Sequence, residues 1–96
     1  MITPLEMAGH IAKQAQEKRL SLNLSQQTLA ERSGVSYGVL KKFERTGKIS
    51  LESLLKLALT LGSLAAFKDL FKTTPAEHLR SLDVLINEKI RKRGRQ

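Results

Sequence analysis

The sequence predicts an all-α protein of short helices, and three observations carry that expectation. No window sustains the two-residue alternation of a half-buried strand, and no Asn-Gly or Asp-Gly joins two β-branched runs. Leu, Ala, Lys, Glu and Gln dominate, and these residues favour helix. Helix starts recur with a shared grammar, a Ser or Thr cap set among apolar residues or followed by Glu.

Thr3-Pro4-Leu5-Glu6 forms a capping box with Pro at the first helical position, which opens a helix near 4–20. Leu5, Ala8, Ile11, Ala12 and Ala15 fall on its apolar face. Gly9 inside it costs about 1 kcal/mol relative to Ala. The next three starts repeat one pattern: Leu24-Ser25 with Leu29, Val35-Ser36 with Leu40, and Ile49-Ser50 with Leu54. In each, the residue before the cap packs on the fourth helical residue, and the Ser oxygen accepts a first-turn N–H. Helices near 26–33, 37–45 and 51–61 follow, closed by Gly34, Gly47 and Gly62 where a left-handed residue is expected.

Ser63 is placed to cap a fifth helix that buries Leu64, Phe67, Leu70 and Phe71. Thr74-Pro75-Ala76-Glu77 repeats the first capping box and opens a sixth near 75–90, with Leu79, Leu82, Leu85, Ile86 and Ile90 as its apolar residues. The Pro-marked break at 72–75 divides a five-helix body, residues 1–72, from a C-terminal arm and tail, residues 73–96.

A chain of 96 residues makes one domain with a small core, burying roughly 60–65% of its unfolded surface. The net charge of +8 favours a polyanionic partner: nucleic acid first, an anionic membrane second. Five of those charges sit in residues 89–96, Lys-Ile-Arg-Lys-Arg-Gly-Arg-Gln, a tail that either attracts phosphate or serves as a solubilising end. There is no Cys, which excludes disulfides and thiolate zinc sites. The richest apolar stretch, Leu51 to Phe71, is broken by Lys56, Lys68 and Asp69, so no segment spans a bilayer, and the start lacks the pattern of a secretory signal. Aromatic residues at 4% are too few for a single-strand stacking platform. His10 and His78 lack partners at metal spacing, and no nucleophile elbow or Gly-rich phosphate loop is present. The expectation is a cytoplasmic, nucleoid-associated binding protein, not an enzyme, with no metal and no cofactor.

The segment from Ser25 to Arg45 reads as two helices joined only by Ser33 to Ser36, a connection so short that they must cross steeply. Ala30 is small enough for the crossing, and Leu29, Val35, Leu40 and Phe43 supply the wedge between them. The second helix leaves Ser36, Tyr37, Gly38, Lys41, Lys42 and Arg45 on its other face. A helix of this width fits the major groove of B-DNA, where its N-terminal residues reach base edges. The free amides at its start, and those at Gln26 and Gln27, suit phosphate.

The run from Leu24 to Gly62 resembles the Cro/cI-type (XRE-family) helix-turn-helix. The resemblance rests on Leu24-Ser25-Gln26, Leu29-Ala30, Ser33-Gly34-Val35-Ser36, Leu40, Phe43-Glu44-Arg45, Gly47, Leu51, Leu54-Leu55, Leu57-Ala58 and Leu61-Gly62. It implies a compact lambda-repressor-like fold of five helices and a sequence-specific transcriptional repressor. Ile49-Ser50 departs from a pattern that often has Pro, which affects loop stiffness. More narrowly, Lys48 to Gly62, Phe67-Lys-Asp-Leu-Phe71 and Ser81-Leu-Asp-Val-Leu85 before a basic end look like HipB-type antitoxins. That resemblance implies an autoregulator that also binds a HipA-type kinase toxin; a stand-alone Cro/cI-type regulator is the alternative.

The candidate DNA contacts are ten. Gln26 matches a family position that touches phosphate and buttresses the recognition helix, and Gln27 is either a second contact or a solvated helix former. Ser36 is a cap with a possible added contact, Tyr37 offers a ring and a hydroxyl, and Gly38 either permits close approach or merely weakens the helix. Lys41 and Lys42 are the candidates for base and phosphate contacts. Arg45, Thr46 and Lys48 would follow the DNA backbone. Glu44 is expected in an intramolecular pair, with Arg32 as the candidate cation. The implied target is a pseudo-palindromic duplex bound by a homodimer, with half-site centres about 34 Å apart. The arm 75–96 and the face Leu64, Phe67, Phe71 are where a second subunit or another partner could dock.

Overall fold

Each α-helix begins at the hydroxyl that the sequence supplies for it. In the computed structural model, which describes residues 1–75, α1 spans Pro4–Ser21, α2 Gln26–Ser33, α3 Tyr37–Thr46 and α4 Leu51–Thr60. Ser25 Oγ accepts from the Thr28 N–H, Ser36 Oγ from Val39 and Ser50 Oγ from Ser53, at 3.0, 3.2 and 3.1 Å. Thr3 Oγ1 accepts from the Glu6 N–H at 3.1 Å and donates its own proton to the Glu6 carboxylate. No described residue lies in a strand.

The helix ends follow the glycines. Gly34 and Gly47 take the left-handed conformation directly after α2 and α3, with φ of 78° and 80°. Gly62, at φ 76°, stands one residue beyond the C-cap Leu61 of α4. The end of α1 uses a device that the glycine pattern did not announce. Asn23 adopts φ 57°, a conformation Asn tolerates better than most side chains, and the Leu24 N–H returns to the Arg19 carbonyl.

Helix α3 packs against α1 and α2, and α2 against α4. The core is Ala12, Leu29, Ala30, Val35, Leu40, Phe43, Leu57, Ala58 and Leu61. Ile11, Ala15, Leu24, Ile49 and Leu54 close around it. Leu24 and Ile49, the residues before two of the Ser caps, thus reach the core edge as the staple pattern requires.

Three expectations change. The fifth helix is a 3₁₀ helix, Leu64–Asp69, and Ser63 makes no side-chain cap to it. Ser63 has φ −113° and ψ 8°, not the extended backbone that aims a cap oxygen at the first turn. Of its expected buried residues only Phe67 is half-buried; Leu64, Leu70 and Phe71 are exposed. At the other end, Leu5 is 71% exposed, because the packed part of α1 begins one turn later, at Ala8. The sixth helix near 75–90 and the tail 89–96 lie outside the described residues, except for Pro75.

Gly47 sets how closely α3 meets α1. A Cβ built there would stand 2.8 Å from the Ala8 carbonyl carbon and 2.9 Å from its oxygen, both backbone atoms that cannot swing aside. Gly34 has nearly the same φ but nothing within 4 Å of such a Cβ. Gly34→Ala should therefore lose only the left-handed strain, about 1–2 kcal/mol. Gly47→Ala adds an overpacking penalty and should lose about 2–4 kcal/mol in all. Thermal melts followed by circular dichroism check the ordering: Gly47→Ala must melt well below Gly34→Ala.

Candidate nucleic-acid interface

The outward face of α3 is separated cleanly from its inward face by helical geometry. At 3.6 residues per turn, Tyr37, Lys41, Arg45, Gly38 and Lys42 fall in one arc of about 140°. All five are exposed. Leu40 and Phe43, each 1% exposed, lie on the opposite arc, and Glu44 falls at the boundary, between Leu40 and Tyr37. The outward arc thus holds three cations and no acid, although α3 itself contains a Glu.

Glu44 is turned inward by a hydrogen-bonded network. Its carboxylate accepts from Arg19 Nε at 2.8 Å through Oε2, and from the second guanidinium nitrogen at 3.0 Å through Oε1. The side chains are 8% and 4% exposed. The remaining Arg19 nitrogen donates to the Leu24 carbonyl at 2.8 Å. Gln26 Nε2 donates to Glu44 Oε1 at 3.0 Å. The network joins the end of α1, the loop after it, the first residue of α2 and the inner side of α3. No buried side-chain nitrogen or oxygen among the described residues lacks a partner.

This corrects the expected partner of Glu44: the cation is Arg19, and Arg32 is exposed at the end of α2. Arg19 carries no motif of its own, but a signal for it exists. Ala8, Ala12 and Ala15 recur at spacings of four and three along α1, and the next step of four lands on Arg19. An Arg on an apolar stripe demands a buried partner, and Glu44, next to Leu40 around α3, is a candidate for it.

The ten candidate residues are not equally placed. Gln26 is half-buried, with its amide nitrogen engaged by Glu44, so it buttresses α3 from within. Gln27 is exposed and shares a shallow concavity with Glu31, Gly34, Ser36 and Tyr37, at the turn between α2 and α3. Ser36 spends its oxygen on the Val39 N–H. The Lys41 ammonium stands over the Tyr37 ring at 5.0 Å from the centroid, a cation–π pair one turn apart on the outward arc. A Cβ at Gly38 would meet nothing within 4 Å, so its openness faces solvent and answers no contact inside the chain. Lys42, Arg45 and Lys48 are exposed. Thr46 donates its hydroxyl proton to the Lys42 carbonyl at 2.7 Å and accepts from the Lys48 N–H at 3.1 Å, which closes the end of α3.

Residues 16–67 match the helix-turn-helix family, a stretch that begins in α1 and ends within the 3₁₀ helix. The match covers more than half of the chain. No curated protein matches the chain.

The network makes a testable demand. Arg19→Met strands the Glu44 carboxylate and should cost about 3–5 kcal/mol, since removing one member of a buried pair leaves an uncompensated charge. Arg19→Met with Glu44→Leu removes both charges and should cost less than the single change. Urea titrations of the two variants, read at constant m-value, compare them directly.

Proposed function

The chain belongs to the Cro/cI-type (XRE) helix-turn-helix family of DNA-binding transcription regulators, and we propose that it is a sequence-specific repressor. It acts as a homodimer on a pseudo-palindromic operator. The observation that carries this reading is the outward arc of α3, a cationic surface free of acids, free of internal contacts at Gly38, and held in place from behind through Glu44.

In this reading α3 enters the major groove with its N-terminal turn leading. Lys41 and Lys42 reach base acceptors and phosphates, with the Tyr37 ring orienting Lys41. Ser36 and Gln27 lie at the groove edge, beside the positive ends of α3 and α2, where phosphate is favoured. Arg45, Thr46 and Lys48 follow the sugar–phosphate backbone. One such module buries too little surface for tight specific binding, which is the reason for a dimer with half-sites about one helical turn apart.

A finer reading follows from the HipB-like segments Lys48 to Gly62 and Ser81 to Leu85. The protein represses its own operon as the antitoxin of a toxin–antitoxin module and holds a HipA-type kinase toxin, in the cytoplasm and on the nucleoid. Residues 73–96 then serve dimer, toxin or DNA contact as a unit distinct from 1–72. Co-purification of a kinase encoded beside this reading frame supports the antitoxin role; its failure, with operator binding intact, leaves a stand-alone regulator.

Two measurements test the repressor. A duplex containing the inverted repeat upstream of the reading frame should outcompete both a scrambled duplex and structured RNA, and sedimentation should find two chains per operator. Equal competition by the scrambled duplex would overturn the proposal. Lys41→Ala should weaken operator binding by about 1–3 kcal/mol and relax preference at one base position. Gly38→Ala separates fold from function: the free protein should gain about 0.5–1 kcal/mol of stability, since Ala suits a helix better than Gly. Operator affinity should fall if the backbone at Gly38 approaches the DNA closely.

A further inference from the structure

Helix α4 carries more apolar surface than the core uses. Leu57 and Ala58 are buried, and Leu54 packs at the core edge. Leu51, Leu55 and Leu59 lie outside that face. They recur every four residues, which sets them in one row along the helix, drifting about 40° per step. Leu51 is 66% and Leu59 65% exposed, and Leu55 between them is half-buried. A helix that is apolar around most of its girth is ordinarily covered on more than one side. None of the three is a DNA-contact candidate, and none lines the apolar hollow between α1, α4 and the 3₁₀ helix.

Two charges flank the row on one edge. Glu52 and Lys56 are both exposed, with Lys56 Nζ 3.5 Å from Glu52 Oε1. This pattern is its own complement when reversed. In an antiparallel pair of α4 helices centred on Leu55, Leu55 meets its own copy and Leu51 meets the partner's Leu59. Two-fold symmetry keeps the two charged edges on the same side. Glu52 then stands three residues to one side of the centre, and the partner's Lys56 one residue to that same side. The two are about 3 Å apart along the axis, and symmetry repeats the pair.

We propose that the row Leu51, Leu55 and Leu59 is where a second copy of this chain docks, α4 against α4 and antiparallel. The proposal rests on the homodimer reading and assigns that dimer its face. An isologous pair also has the symmetry that a pseudo-palindrome demands. One helix pair buries less than the roughly 800 Å² per partner of a standard interface. The free dimer is therefore weak, and two half-sites on one duplex complete it by holding the copies together.

The full chain has no cysteine, so single thiols report the pairing. In concentrated solution without DNA, Leu55→Cys should oxidise mostly to a linked dimer. Leu51→Cys alone and Leu59→Cys alone should link about tenfold less, because each stands about 12 Å along the axis from its own copy, beyond disulfide reach. Mixed together, those two chains should link to one another. Equal linking at all three positions, or none at Leu55→Cys, overturns the proposal. Charge reversal gives a second measurement at exposed positions. Glu52→Lys and Lys56→Glu should each weaken self-association by about three- to tenfold, and the two chains mixed should pair with each other in preference to themselves. No preference in the mixture means that the ion pair serves its own helix alone and overturns the proposal. Two chains on the operator without these preferences would discard the face and leave the repressor standing. One chain on the operator would end the homodimer reading, and this pairing with it.

Discussion

A guanidinium at the end of α1 and a carboxylate on the inner side of α3 fix where the reading helix lies. Taking both charges out of water costs several kcal/mol per ion, and their attraction repays this only in good geometry. The geometry here is a planar fork with a second acceptor at the Leu24 carbonyl and a second donor from Gln26. A hydrophobic pair of similar volume would hold the elements together as well. What it would lack is direction, because apolar contact constrains distance far more than angle, and a planar fork constrains both. Gly47 adds a second constraint just past the same end of α3, against the early part of α1, where backbone meets backbone without a side chain between.

The legible part of the fold was written in polar residues, not in hydrophobic periodicity. Ser25, Ser36 and Ser50 mark the starts of three helices, and Gly34 and Gly47 the ends of two. A cap is read within a few residues, and every quantity it depends on is local. The 3₁₀ helix escaped for the complementary reason. Ser63 has the right residue type for a cap, but its backbone follows the turn at Gly62 and leaves the capping conformation. Leu5 escaped because periodicity says which residues share a face but not how far the partner extends; the α1 face outruns the core that covers it.

The site divided in the same way. The outward residues of α3 were legible because helical spacing and two buried anchors, Leu40 and Phe43, fix the phase of the whole helix. The supporting network was legible in half. An intramolecular pair was expected for Glu44, but that it meets Arg19 and not Arg32 depends on how α1 crosses α3, a long-range fact. Gln26 shows the overlap between the two roles: the residue expected near phosphate has its amide nitrogen committed to the carboxylate behind the helix.

The division of α3 into two arcs has a consequence for descent. Leu40, Phe43 and Glu44 hold the helix, while Tyr37, Gly38, Lys41, Lys42 and Arg45 are exposed on its other side, Tyr37 beside Ala30 and Val35. If, as proposed, the second set reads DNA, substitutions there leave Leu40, Phe43 and Glu44 in place, and a lineage can drift to new recognition sequences without first losing its architecture. Retargeting is cheap on this frame, whereas any change at Arg19 must wait for a matching change at Glu44.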